Sequence, residues 1–194
     1  MTFRDVRWLM LVLVLAGCTA QVSPPSTYLL RPDPTPDRDA CVDAVRLGEV
    51  TVAPYLDADG IVVETDPGVL RPARQHRWAE PLAPALKRYL QVGLREATGC
   101  QVIAQLHLSG DVATRIDILL HQLHATMAGE VHLVAEYRLG RGGESGESLS
   151  LHEFAAVEVL SADGYAGIVE AHARLLDALA AHIAAELKTT QRHP

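Results

Sequence analysis

The pattern of apolar residues predicts an α+β fold, a mostly antiparallel sheet with two long amphipathic helices packed on one face. Three observations carry that prediction. Two stretches, 81–98 and 164–188, place apolar residues at helical spacing. Several runs alternate with period two, most clearly 130–139. Short clusters of Gly, Asp and Pro separate these runs in the manner of turns.

Taken in order, residues 45–53 are rich in β-branched side chains and stop at Pro54, a strand signature. Asp57, Asp59 and Gly60 form a turn into a second strand at 61–65. Asp66-Pro67-Gly68 turns the chain again, and 69–78 reads as extended. Pro81 suits the first position of a helix, where its missing donor would be unpaired anyway. Leu82, Leu86, Tyr89, Leu90, Gly93 and Ala97 then give one apolar stripe, and Gly99 is placed as the left-handed stop.

A short strand at 101–104 precedes a long one at 112–126. Within the long run Val112, Ile116, Ile118 and Leu120 share a face, and the pattern resumes out of phase at Leu123. A phase slip inside one strand predicts a β-bulge near His121-Gln122. In 130–139, Val131, Leu133, Ala135, Tyr137 and Leu139 share a face opposite His132, Glu136 and Arg138. A Gly-rich loop at 141–147 leads to the last strand, 148–160. The final helix repeats Ile168, His172, Leu175, Leu179, Ile183 and Leu187 at helical spacing. Lys188 and Arg192 near its end suit the negative pole of the helix dipole.

The formal net charge of −7, with no dense Lys/Arg cluster, excludes nucleic acid as a partner on electrostatic grounds. It equally excludes attraction to anionic lipid by charge alone. Residues 1–17 read as a signal peptide: Arg4 and Arg7, an apolar run at 8–14, then small residues. That run is far short of the roughly 20 residues of a spanning helix. Leu15-Ala16-Gly17-Cys18 resembles the lipobox of bacterial lipoproteins, in which the Cys is acylated and becomes the N-terminus. Cleavage there would leave 177 of the 194 residues, enough for one domain with a full core. Residues 18–44 carry Pro24, Pro25, Pro32, Pro34 and Pro36 and read as a tether, with a short strand expected at 28–30. A single domain spans 45–194. Cys41 and Cys100 remain as an even pair in a compartment that permits disulfides, and a bridge between them is expected. Two buried thiols are the alternative.

No catalytic constellation emerges. Gly140-Arg141-Gly142-Gly143 joins two strands, so it is a hairpin loop and not a phosphate cradle. His121 and His124 fall on opposite faces of a regular strand, and His172 and His182 on different faces of a helix. No metal site and no cofactor are expected.

The segments 52–57, 61–62 and Arg77-Trp78-Ala79-Glu80-Pro81-Leu82 resemble the ABC-type transport auxiliary lipoproteins of the PqiC (YmbA) type. So do Gly129-Glu130-Val131 and Asp163-Gly164-Tyr165 before the long helix. The resemblance runs from about Tyr28 to Lys188 and implies a non-enzymatic lipoprotein on the periplasmic face of the outer membrane. Thr19 after the acylated Cys18 agrees with outer-membrane sorting. The implied partner is a periplasm-spanning MCE-domain protein in lipid trafficking between membranes, and a homo-oligomer is left open. The second hypothesis is a periplasmic carrier holding an acyl chain between helices and sheet. Tyr55 and Leu56, expected at exposed positions in a turn between strands, and Trp78 are the candidate partner-binding residues, and the 141–147 loop is a further candidate. For Trp78, packing is the stronger reading; for Tyr55 the two are equal.

Overall fold

The computed structural model describes residues 23–32, 45–103, 114–141 and 148–192. The expected signal peptide, Cys18, Cys41 and the 142–147 loop lie outside the described residues. Among the described residues eight strands form one sheet: β1 (Ser26–Tyr28), β2 (Val45–Val52), β3 (Gly60–Asp66), β4 (Val69–Trp78), β5 (Val102–Ile103), β6 (Thr114–Thr126), β7 (Glu130–Arg141) and β8 (Ser148–Val159). Two helices, α1 (Leu82–Thr98) and α2 (Gly164–Arg192), pack on it, and a 3-10 turn (Pro54–Leu56) follows β2.

The spine is β6. Along one edge it pairs antiparallel with β7 from Thr114↔Arg141 to Ala125↔Val131, and β7 pairs antiparallel with β8 over its whole length. Its other edge is shared end to end. β2 runs parallel to 114–120, and β3 runs parallel to Ala125 and Thr126. β4 then joins β3 antiparallel, β1 lies parallel beside β4, and β5 lies parallel beside β2. The long antiparallel ladders dominate, with parallel joins at the β2/β3 side.

The expected phase slip is a bulge. The β6–β7 register steps from Leu120↔Ala135 to Gln122↔Val134, leaving His121 extra. The slip keeps Leu120 and Leu123, three apart, on the helix side, at 0% and 2% exposed. Without it one half of the strand would turn its apolar residues to solvent. Elsewhere β3 approaches β4 so closely that a Cβ on Gly60 would lie 2.3 Å from the Ala73 carbonyl oxygen, so only glycine fits.

Three elements differ from expectation. The short N-terminal strand is Ser26–Tyr28 and not 28–30; Leu29 is exposed, while Leu30 drops into the core. Pro81 is the N-cap of α1, with extended ψ of 136°, and not its first residue. Proline fixes φ but leaves ψ free, so the chain enters the helix one residue later. Pro84 then falls in the first turn, where no intrahelical donor is needed. Leu94, and not Ala97, completes the buried stripe of α1. Gly99 closes the helix at φ 71°, with its N–H donating to the Arg95 carbonyl.

α1 lies against β2 and α2 against β7 and β8, and the helices touch each other. Gly93 lets them approach, since a Cβ there would meet Ala180 Cβ at 3.2 Å. The Tyr89 hydroxyl donates to Asp177 Oδ1 at 2.9 Å across the same contact. Every residue of the expected α2 stripe, from Ile168 to Leu187, is buried, as are Val131, Leu133, Ala135, Tyr137 and Leu139 of β7.

Candidate docking surface

Two of the three candidate contact residues reach the core. Leu56 is 1% exposed, which corrects its expected place on an exposed loop. The 3-10 turn is short enough that its third side chain rotates back under the sheet. Trp78 is 9% exposed and meets the His172 ring edge-on, with centroids 5.6 Å apart. Tyr55 is half-buried. Its hydroxyl lies 3.1 Å from the His121 carbonyl oxygen, to which it donates, and 3.0 Å from His124 Nδ1. The bulge thus gains a partner for a carbonyl that the ladder leaves irregular.

The structure nevertheless brings these residues to one end of the sheet. The Trp78 N–H donates to the Asp59 carbonyl at 2.7 Å, tying β4 to the turn after Tyr55. A cavity of about 300 Å³ opens there, lined by Asp57, Ala58, Asp59, Trp78, Ala79, Glu80, Pro81 and Leu82. Asp57, Asp59 and Glu80 make its lining acidic, and Trp78 is its one aromatic residue.

On the sheet face away from the helices lies a second trough of about 240 Å³, whose lining includes Glu49, Arg115, Asp117, Glu136 and Arg138. Arg115 holds Asp117 through Nε at 2.7 Å, and the Glu49 N–H donates to Asp117 Oδ1 at 2.7 Å. Burial pushes the Asp117 carboxyl up, but the Arg115 and Glu49 hydrogen bonds and the nearby Arg138 outweigh it and hold it below the usual range.

Six of the described histidines pair with other rings, and His121 faces Glu136 at 4.0 Å. His76 stacks on Tyr165 at 3.8 Å, His124 on His132 at 6.0 Å and His152 on Tyr137 at 5.1 Å, while His182 meets Phe154 at 5.2 Å. No single-sequence spacing announces such pairs, because each joins two elements. Among the described residues no group of three or more His, Cys, Asp or Glu is placed to hold a metal ion. Tyr137 is fully buried and its phenol is pushed up to about 12 by burial, with Glu186 adding to the rise.

Burial also depresses His124 and His172, against the opposing pull of Glu64 on the first and of the Ile168 carbonyl on the second. The unfolded chain therefore binds more protons than the folded one below about pH 6.5, and stability falls as pH drops through that range. Each histidine contributes a slope of at most about 1.4 kcal/mol per pH unit. Urea midpoints measured from pH 7.5 to 5 should decline, and the decline should lessen in His124→Gln/His172→Gln. A flat profile in the unaltered protein would contradict the assignment. Glu64 and Asp117, both lowered, add their own loss only at more acidic pH.

Cys100 is disulfide-bonded and 5% exposed. No helix among the described residues is long and apolar enough to cross a membrane.

Residues 28–184 match the family described as ABC-type transport auxiliary lipoprotein component. The chain is 27% identical to the intermembrane transport lipoprotein PqiC of Escherichia coli strain K12 over 187 residues, covering 94% of this chain and 97% of the relative. The crystal structure of an uncharacterized protein shares the fold with a TM-score of 0.74 at 24% identity, over 85% of this chain and 99% of the other. Protein XCC0632 from Xanthomonas campestris shares it at a TM-score of 0.67 and 15% identity, over 88% and 98%. The chain belongs to the family of ABC-type transport auxiliary lipoprotein components.

Proposed function

We propose that the protein is a non-enzymatic docking component of an intermembrane lipid transport system, anchored by acylated Cys18 to the periplasmic face of the outer membrane. The observation that carries this reading is the match along nearly the whole chain to an intermembrane transport lipoprotein. Its partner is a periplasm-spanning MCE-domain protein. β1 begins at Ser26, so seven residues separate Cys18 from the sheet, a reach of at most about 23 Å at roughly 3.3 Å per residue. The body is thereby held close to its membrane.

Docking is favoured over carriage of an acyl chain by the layer between helices and sheet. Leu86, Leu90, Leu120, Leu133, Leu176 and Leu179 fill it at 0% exposure within one continuous cluster. The two cavities described above lie outside that layer; charged side chains make up most of the lining of the trough on the sheet face, and Asp57, Asp59 and Glu80 line the Trp78 cavity.

The contact surface centres on the turn after β2, with Tyr55 as its aromatic and the Trp78 cavity beside it. Asp57 and Asp59 are exposed on its rim. Asp57→Lys/Asp59→Lys should lower recovery of the partner from detergent-solubilised membranes by tenfold or more, with the melting temperature intact. Unchanged recovery would move the contact surface elsewhere on the body.

The disulfide of Cys100 is assigned to Cys41. Closing a loop of 100 − 41 = 59 residues stabilises a fold by on the order of 4 kcal/mol in the chain-entropy model. Peptide mapping of unreduced protein should show a Cys41–Cys100 linked pair; a free Cys41 thiol would rule it out.

A further inference from the structure

The direction of β1 fixes the side from which the tether arrives. β1 lies parallel to β4, with Ser26 level with His76. The chain before Ser26 therefore enters from the end of the sheet where β4 begins, at Val69. From Val69 to Gln75 is seven residues of strand, about 23 Å. The seven residues between Cys18 and Ser26 reach about the same distance when extended. Laid alongside β4, they bring Cys18 level with the turn between β3 and β4.

A second hairpin tip stands at that end. Glu64 of β3 lies beside Thr126 of β6, so the β3–β4 turn and the β6–β7 turn are neighbours. Each shows an apolar side chain to solvent. Met127 is 73% exposed, more than any other large hydrophobic side chain among the described residues, and Val69 is 40% exposed. The backbone around them is already satisfied, as entry into a lipid interface requires. The Gly68 N–H donates to Glu64 Oε1 at 2.6 Å, and the Met127 N–H to the Glu64 carbonyl at 3.2 Å. The Gly129 N–H donates to the Thr126 carbonyl at 3.2 Å, and Pro67 has no N–H to satisfy. Glu64 thus ties the two tips together. Asp66 and Asp163 are exposed at the same end, so charge does not draw it to anionic lipid.

We propose that this end of the sheet seats on the bilayer that holds the acyl chains, with Met127 and Val69 entering the headgroup boundary. The proposal rests on acylation of Cys18. Two side chains do not anchor a protein; they orient a body that acyl chains already confine. With the tips down, Trp78 stands nine residues along β4 from Val69, about 30 Å from the bilayer, and its cavity stays open to a partner.

The test uses full-length lipidated chain reconstituted into vesicles of phosphatidylcholine, alone or mixed with phosphatidylglycerol. A fluorophore is attached at Ala128→Cys, beside Met127, or at Glu96→Cys, exposed at the far end of the body, with the unaltered chain as background. Nitroxide carried on the lipid headgroups is the quencher. The result expected is loss of about half the emission or more at Ala128→Cys, none at Glu96→Cys, and no difference between the two lipid mixtures. Val69→Asp/Met127→Asp, which alters only exposed side chains, should abolish the quenching at Ala128→Cys and leave the melting temperature and flotation with vesicles unchanged. Chain that fails to float with vesicles would overturn the anchor and the seat together. Floating chain whose two probes are quenched alike or not at all, or whose quenching survives the double variant or requires phosphatidylglycerol, would overturn the seat alone.

Discussion

Alanine in place of Cys18 should remove the protein from the outer-membrane fraction. Among the described residues nothing else supplies a membrane anchor. The net charge is −7, no basic cluster draws the body to anionic lipid, and no described helix can cross a bilayer. Acyl chains contribute about 0.8 kcal/mol per buried methylene, so two or more hold a protein in a membrane and none leaves it free. Cys18→Ala should therefore appear as an uncleaved or soluble form, and function in transport should fall to that of a strain without the protein. Fractionation of the variant unchanged from the natural protein would contradict the anchor.

Leu90→Ala should cost roughly 2–5 kcal/mol, the loss expected when a fully buried leucine leaves a cavity. Leu90 is 0% exposed on the face of α1 that packs against the sheet, in the same cluster as Leu86, Leu179 and Ile183. For a domain of this size each kcal/mol moves the melting temperature by roughly 2–4 °C, so the shift should be on the order of 4–20 °C. Transport activity should decline in proportion to folded protein and no further, because this stripe is buried within the fold. A cost below about 1 kcal/mol would show that the helix–sheet layer is looser than its burial indicates, which would favour a carrier.

Elements whose physics is local were legible in the sequence. The α2 stripe, the β7 alternation, the Gly99 stop and the bulge at His121 each follow from spacing within one segment. What lay hidden depends on partners distant in sequence. The parallel joins of β2 and β3 to β6 involve strands separated by a hairpin and a helix, and no periodicity reports which edge a strand will choose. Leu56 looked exposed because turns usually are; its burial comes from a 3-10 turn folded back onto the core. Tyr55 was correctly set in a turn, but its tie to His121 and His124 is created by the bulge on another strand. The apolar outer face of β8 was visible as a strand, yet its exposure emerged only once α2 was seen to cover the opposite face.

The most direct measurement is identification of the proteins that co-purify with full-length, lipidated chain from detergent-solubilised outer membranes. The result expected is recovery of an MCE-domain protein with the natural chain, at much reduced yield with Asp57→Lys/Asp59→Lys. Purified chain that carries bound phospholipid and recovers no MCE-domain protein would contradict docking and identify a carrier instead.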